Sequence, residues 1–168
     1  MTEQAVTHTV ARILAAGHGE VAPGLSGVTD RFMIDGKETG GRFALVQHLF
    51  EPRALAAPIH RHRSEDEYTY VLDGRIGASL GGEEFVAGPG DLIFKPRDQW
   101  HTFWNAGDEP ASVLELISSA GLEELFRELG RLTAEPDPAA LAAMAGRYGC
   151  ELDFDATFPV VERHGLRF

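Results

Sequence analysis

The chain has 168 residues and a formal net charge of −11, from 15 basic and 26 acidic side chains. That sign opposes contact with phosphate backbones and anionic lipid, so we expect neither nucleic acid nor a membrane surface as a partner. The single cysteine, Cys150, excludes an internal disulfide and fits a reducing compartment. Residues 1–20 lack the basic start and apolar run of a signal peptide, and no stretch approaches the ~20 apolar residues of a spanning helix. We therefore expect a cytoplasmic protein.

The first 40 residues show weak periodicity and two turn-rich stretches, 21–27 and 35–41, which predict one or two short strands or loops. From residue 42 the pattern changes to short β-forming runs separated by tight turns. Asp73-Gly74 and Gly81-Gly82 are typical of hairpin turns, because both positions must tolerate positive φ. Strands spaced this regularly over residues 42–118 predict an all-β antiparallel sandwich or small barrel.

Helical periodicity begins after residue 118. One apolar stripe, in 121–132, recurs at helical spacing, and a second helix is predicted from an N-cap at Asp137 and a proline at 138 to a stop near Gly149. The two stripes predict packing onto the barrel or across a dimer. They consist of Leu122, Leu125, Phe126 and Leu129, and of Leu141, Met144 and Tyr148. The acidic stretch 151–168 is predicted to wrap the surface.

Two histidines, His60 and His62, are separated by one residue. In a strand, residues i and i+2 point to the same face, so both imidazoles project together. Glu67 follows at the start of the next strand, and His101 opens a later one. Three imidazoles and one carboxylate can hold a divalent first-row cation and leave two octahedral positions open for water, substrate or dioxygen. Because the imidazoles must be neutral to bind, occupancy is expected to fall in mild acid.

These residues fall in two motifs that resemble those of the cupin superfamily. The first reads His60-x-His62, four residues, Glu67, six residues, Gly74, and the second reads Gly90, five residues, Pro96, four residues, His101, three residues, Asn105. The resemblance implies a cupin double-stranded β-helix, or jelly-roll barrel, over about 42–118. It also implies a C-terminal helical extension over about 119–168, similar to that of quercetin-dioxygenase-like single-domain cupins. We therefore expect one cupin domain over 1–168.

The resemblance assigns His60, His62, Glu67 and His101 as ligands of one divalent ion: iron, manganese, nickel, cobalt or zinc. It also implies that Glu67 acts as a proton acceptor in catalysis. Asp66 competes for the fourth ligand position, because the family allows three or four intervening residues. Two family glycines are replaced, by Ala54 and Asp98, and Asp98 can still take the left-handed turn conformation.

Strand alternation separates cavity residues from outward ones. If Glu67 and His101 point inward, so do Thr69, Val71, Phe103 and Asn105, whereas Tyr68, Tyr70 and Trp104 point away. The outward aromatics predict a homodimer interface. The predicted substrate-binding residues are Thr69, Val71, Phe103, His48 in the preceding strand and Trp100 at the mouth.

Three functions remain open from the sequence. The resemblance to quercetin dioxygenases favours a dioxygenase-type oxidoreductase acting on a small enol-like or phenol-like substrate. The same site could instead use its ion as a Lewis acid for isomerisation, cyclisation or decarboxylation. A barrel that binds a small ligand without chemistry is the third possibility, and the retention of all four ligand residues argues against it.

Overall fold

The computed structural model describes residues 10–168, so the first nine residues of the segment considered for a signal peptide lie outside the described residues. None of the helices in the described range is long and apolar enough to cross a membrane. The strands are β1 Glu20–Pro23, β2 Val28–Ile34, β3 Ala44–Phe50, β4 Ile59–His62, β5 Asp66–Asp73, β6 Ile76–Leu80, β7 Glu83–Ala87, β8 Leu92–Lys95, β9 His101–Asn105, β10 Ala111–Ser118 and β11 Cys150–Asp153. The helices are α1 Glu123–Leu129, α2 Pro138–Gly146 and α3 Phe154–His164, and a 3₁₀ turn spans Gly36–Thr39.

The strands form two antiparallel sheets, which confirms the predicted all-β class. One sheet has the order β1-β2-β3-β10-β5-β8, and the other has the order β11-β4-β9-β6-β7. Consecutive strands such as β4 and β5 lie in different sheets, as expected for a jelly roll rather than a meander. The functional side chains discussed below project into the space that the two sheets enclose.

Alternation along the strands creates the barrel core. In β10, Ala111, Val113, Glu115 and Ile117 are buried, and the residues between them are partly exposed. Where β6 pairs with β9, Gly77 lies opposite Trp104, and a Cβ at position 77 would lie 2.3 Å from the indole ring. Only glycine, which has no Cβ, leaves room at position 77 for the indole ring of Trp104.

The two predicted apolar stripes pack onto the barrel. Leu122 and Leu125 of the α1 segment and Ala145 of α2 form a buried cluster with barrel residues such as Val46 and Ile117. The predicted cap is present, since the Asp137 carboxylate accepts a hydrogen bond from the Ala140 backbone N–H at 2.8 Å. These helices therefore pack against the barrel residues of β2, β3 and β10.

Residues 151–168 were predicted to wrap the surface, but they form part of a strand and a helix instead. Its beginning forms β11, which pairs with β4 and extends the five-stranded sheet, and the rest forms α3. The amphipathic α3 covers Trp104, whose ring lies 4.8 Å from that of His164 and is only 2% exposed. Trp104 points away from the cavity as predicted, but its burial excludes it from a dimer interface. Tyr70, at 45% exposure, stays available on the outer face.

Candidate metal centre

The structure brings together the four side chains predicted as metal ligands. His60 and His62 project from β4, Glu67 from β5 in the facing sheet, and His101 from β9. His60 and His101 are direct partners in the β4–β9 pairing. One nitrogen or oxygen atom from each of the four residues lies within 4.8 Å of the others, and all four residues are buried. Side chains remote in sequence thus converge on one point inside the barrel.

Backbone carbonyls orient two of the imidazoles. Nδ1 of His60 lies 2.7 Å from the Pro58 carbonyl oxygen, and Nδ1 of His101 lies 2.9 Å from that of Gln99. A carbonyl can only accept, so each Nδ1 donates. Nε2 of His60 then carries a lone pair, whereas Nε2 of His101 lies 3.0 Å from Oε2 of Glu67. Burial, and then the neighbouring His101 and His62, hold the pKa of His60 well below its ordinary value. His60 is therefore a neutral imidazole with its lone pair available for a cation.

His62 has a different environment. Its Nδ1 faces the buried Glu65 carboxylate at 4.0 Å, and its Nε2 lies 3.5 Å from Oε2 of Glu67. Neither ring nitrogen has a hydrogen-bond partner of good geometry among residues 10–168. Burial lowers the pKa of His62, but the Glu67 charge and contacts with Cys150 and Glu67 outweigh burial and raise that pKa to about 10. The Glu67 carboxylate therefore favours a positive charge at His62, as it would favour a bound cation.

Glu67 is held by a charged network that the sequence motifs did not reveal. The Lys95 ammonium is fully buried and lies 3.0 Å from Oε2 of Glu67 and 3.1 Å from Oε1 of Glu115. The Thr69 hydroxyl donates to the other oxygen of Glu115 at 2.6 Å. Burial favours a neutral Glu67, but Lys95 and then His62 outweigh it and hold the pKa of Glu67 well below its usual range. Glu67 is therefore an anion ready to bind a cation.

The donor set fits a first-row divalent cation. Three imidazole nitrogens and one carboxylate oxygen suit zinc, iron, manganese, cobalt and nickel, and four protein ligands leave two octahedral positions open. The unpartnered Nε2 of buried His62 is the kind of atom that requires a partner, and a cation at this point supplies it. The cluster could therefore hold a metal ion in an arrangement suited to chemistry rather than to structure.

Cation binding is expected to release about one proton per chain near neutral pH, because the cation must displace the proton of His62. Affinity should fall as the pH is lowered, since protons then compete for the imidazoles. Calorimetric titration with zinc in two buffers of different ionisation enthalpy measures the proton count. A binding enthalpy independent of the buffer would contradict this protonation state, and the chelator-treated His101→Ala variant serves as the blank.

A cavity of about 70 Å³ adjoins the cluster. Among the predicted substrate-binding residues, Phe103 and His48 line this cavity, as do the metal ligands His60, His62 and Glu67. The opposite wall is apolar and comes mainly from the helical segments, through Leu122, Leu125, Phe126, Leu129 and Leu141. The C-terminal extension thus supplies much of the surface that a ligand would contact.

Three predicted substrate-binding residues lie elsewhere. Thr69 and Val71 do point inward, and both are fully buried. However, the Thr69 hydroxyl is hydrogen-bonded to Glu115, and Val71 is packed in the barrel core. Trp100 packs against the α3 side of the molecule, where the Arg61 guanidinium lies 4.8 Å from its ring centroid. Alternation specifies the direction of a side chain but not its depth in the barrel, which explains the positions of Thr69 and Val71. Trp100 was predicted from its place before His101, which does not specify a direction.

The neighbouring acidic residues have structural roles. Asp66 pairs with Arg97 at 2.6 Å and accepts a hydrogen bond from the Arg97 backbone N–H, so it is directed away from the cluster. Asp98 adopts φ of +62°, the left-handed conformation expected for a residue that replaces a glycine. Glu67 rather than Asp66 is therefore the carboxylate that joins the three histidines.

Two antiparallel sheets around a buried three-histidine, one-glutamate cluster define a jelly-roll barrel with a candidate metal centre. The family model described as the cupin domain matches residues 46–117, which contain all four clustered side chains. Residues 46–117 are therefore a cupin domain, as the motifs indicated.

Its relatives include several kinds of enzyme. The chain is 28% identical over 136 residues to the tetracenomycin polyketide synthase protein TcmJ of Streptomyces glaucescens. The aligned region covers 80% of this chain and 89% of that protein. The polyketide cyclase RemF of Streptomyces resistomycificus superposes with a TM-score of 0.57 at 26% identity, over 66% of this chain and 80% of RemF. Quercetin 2,3-dioxygenase of Bacillus subtilis is 32% identical over 71 residues, 42% of this chain and only 21% of that enzyme.

Proposed function

We propose that the chain is a metal-dependent cyclase that closes a ring in a polyketide-type substrate, a chain of alternating carbonyl and methylene groups. The extent of the similarity to TcmJ carries this proposal. An alignment of 136 residues is longer than the matched cupin domain, so it must include segments outside residues 46–117. An alignment over 80% of the chain must span at least about residues 35–134, and it therefore includes the cavity-lining residues Leu122, Leu125, Phe126 and Leu129. RemF, whose name states a cyclase activity, supports the same reaction.

The apolar wall suits such a substrate. Phe103 from β9 and Phe126 from α1 present aromatic surfaces on which a folded carbonyl chain or a nascent ring can pack. The leucines of α1 exclude water from the same space. Exclusion of water protects reactive enolates from premature protonation and strengthens every electrostatic interaction within the cavity.

The polar side of the cavity would bind the reacting oxygens. His60, His62, Glu67 and His101 would hold the cation, which when bound supplies a Lewis acid at a carbonyl or enol oxygen. Lys95 keeps Glu67 in place as an anion. The role of Glu67 as a proton acceptor stays a prediction, and its Oε2 is already in contact with Lys95 and His101.

A substrate of several rings requires movement of the helices. Pockets that enclose ligands of this size usually exceed about 300 Å³, whereas the cavity measures about 70 Å³. Most of the strands that line the cavity (β2, β3, β4, β5 and β9) have a neighbouring strand on both sides, so the wall that can yield is the one formed by α1 and α2. Substrate entry would then separate these helices from β2 and β3.

A dioxygenase is the second candidate function. The similarity to quercetin 2,3-dioxygenase supports it, together with a ligand set that leaves two positions for substrate and dioxygen. The aligned 71 residues, however, are about as many as the cupin domain alone contains. This similarity is therefore less extensive than the similarity to TcmJ, which spans 136 residues.

The dependence on oxygen distinguishes the two functions. The protein, loaded separately with zinc and with iron, is incubated under argon and in air with an aromatic ketone that carries a linear 1,3,5-triketone side chain. We expect ring closure with loss of one water, measured by mass spectrometry, at equal rates in argon and air and with redox-inactive zinc. The His18→Gln variant, altered at an exposed histidine outside the cavity, should behave as the wild type.

Turnover that requires iron and air, with oxygen incorporated into the product, would refute the cyclase and establish the dioxygenase. No turnover of the triketone with any of the candidate metals would also contradict the proposal.

A further inference from the structure

The cavity contains a second polar pair, separate from the metal cluster. Asp30 of β2 and His48 of β3 are direct partners across the antiparallel pairing of those strands. Oδ1 of Asp30 lies 2.7 Å from Nδ1 of His48, and the two residues are only 4% and 6% exposed. Both residues line the cavity that the metal cluster also lines. The sequence motifs predicted no role for Asp30.

The pair leaves one nitrogen free. Asp30 accepts from Nδ1, which fixes the tautomer in which Nε2 carries the lone pair. Nε2 makes no hydrogen bond to any residue in 10–168. The ring is surrounded by the aromatic rings of Phe50, Phe103 and Phe126, with centroids at 6.3, 6.1 and 5.6 Å. An apolar pair would fill the same strand positions without the desolvation cost of a buried carboxylate, so core packing does not explain Asp30 and His48.

The charges around His48 make it a stronger base than an ordinary imidazole. Burial lowers its pKa, but the hydrogen bond to Asp30 and the charges of Asp30 and Glu115 outweigh burial and the opposing Lys95, and the net shift is upward. These groups come from β2, β10 and β8, and the side chain that α1 packs against the ring, Phe126, carries no charge. Asp30 is the largest favourable influence, as in other Asp–His pairs that transfer protons.

We propose that His48, oriented by Asp30, is the general base and general acid of the ring closure. This inference rests on the proposed cyclase function. Nε2 removes a proton from a methylene between two carbonyls; the C–H bond breaks and its electron pair becomes an enolate. The enolate carbon then attacks a second carbonyl of the same substrate, forming the C–C bond. The pair displaced from that C=O bond becomes an alkoxide, which takes the proton back from the His48 imidazolium. Nε2 then removes the second proton of the same carbon, and the hydroxide that leaves takes this proton from the imidazolium and departs as water.

The positions of His48 and of the metal cluster agree with the proposed roles, in which the cluster binds a substrate oxygen and His48 transfers the proton. Between β3, which carries His48, and β5, which carries Glu67, lies one strand, β10. Neighbouring strands are about 4.8 Å apart, so the two strand axes are separated by roughly 10 Å. Along β10, His48 pairs with Val113 and Glu67 pairs with Ile117, so the two positions are also offset by four residues, or roughly 13 Å. A substrate held by an oxygen at the metal cluster therefore presents to His48 a carbon several bonds away. A chain of alternating carbonyls and methylenes has an acidic C–H at such positions.

The test compares His48→Gln, Asp30→Asn and the double variant with the wild type, all loaded with zinc. His48→Gln is expected to lower kcat for the triketone by about 10²–10⁴-fold while KM and zinc content stay unchanged. Asp30→Asn should lower kcat and move the acid limb of the kcat profile to lower pH, because loss of the anion lowers the pKa of a base that must be neutral to act. The double variant should be no slower than His48→Gln alone.

A second readout separates this inference from the cyclase function. Exchange of the central C–H of a simple 1,3-diketone for deuterium, followed by NMR, reports proton removal without ring closure. Wild type and the matched control His18→Gln should accelerate exchange, and His48→Gln should not.

Four outcomes are distinguishable. If the wild type closes the ring and His48→Gln retains its kcat, or loses only thermal stability, the role of His48 is overturned and the cyclase stands. If the wild type does not close the ring but His48→Gln abolishes exchange, the cyclase fails and the base remains. Exchange that is equally fast in both proteins refutes the base, and a wild type that neither closes the ring nor accelerates exchange refutes both.

Discussion

Replacing His101 with alanine is expected to lower the affinity for zinc by at least about 100-fold, because even loss of a group that only orients a metal ligand typically costs 10–100-fold. His101 is 1% exposed and contributes one of three imidazoles to a cluster in which the four donor atoms lie within 4.8 Å. The variant should be purified with little metal and should have no turnover. Competition with a chromophoric chelator measures the affinity, and elemental analysis measures the metal content.

The His18→Gln variant is the matched control, since it alters an exposed histidine and should retain full metal content. A comparable fall in affinity for both variants would indicate a general effect on folding rather than the loss of a ligand. An unchanged affinity in His101→Ala would mean that the cation, if bound, is held elsewhere.

Replacing Lys95 with methionine is expected to destabilise the chelator-treated protein by about 3–5 kcal/mol, the usual effect of removing one partner from a buried charge cluster. The Lys95 side chain is fully buried between Glu67 and Glu115, whose side chains are 5% and 0% exposed. Methionine keeps the length and apolar stem of lysine, but it leaves Glu115 without its cation and Glu67 with His62 alone. Urea denaturation followed by circular dichroism measures the free energy of unfolding.

Saturating zinc should reduce this loss, because a bound cation compensates the charge of Glu67. Adding Glu115→Gln to Lys95→Met should also recover part of it, since the amide oxygen can still accept from Thr69. Arg97→Met, which breaks the exposed ion pair with Asp66, is the control and should affect stability far less. A loss below about 1 kcal/mol in Lys95→Met would show that the buried ammonium is not the counter-ion of these carboxylates.

The barrel strands were predictable because local signals and tertiary structure agree between residues 42 and 118. The turn at Asp73-Gly74 lies between β5 and β6, and Gly74 has φ of +83° as its turn requires. Helices α1 and α2 were likewise visible from their apolar stripes and the Asp137 cap. The remaining elements depend on distant partners. The strand β11 exists because it pairs with β4, a contact between residues about 90 positions apart, and no local pattern reveals such a pairing.

The four clustered side chains could be predicted from motif spacing, whereas the groups that act on them could not. Asp30, Lys95 and Glu115 each lie two positions from a buried apolar residue of the same strand, so their side chains also point inward. A single charge at an inward position is a usable signal, since burial of a charge requires a partner. The identity of the partner is not available from one strand, however. Lys95 and Glu67 meet only because β5 and β8 pair at the sheet edge.

The central claim is that His60, His62, Glu67 and His101 jointly bind one divalent cation inside the barrel. X-ray absorption at the zinc edge of the protein loaded with one equivalent of zinc tests it most directly. We expect a shell that contains three imidazole nitrogens at about 2.0–2.1 Å and that loses one imidazole in each single histidine-to-alanine variant of the cluster. A shell of oxygen atoms only, or one that the His60→Ala variant leaves unchanged, would contradict the account.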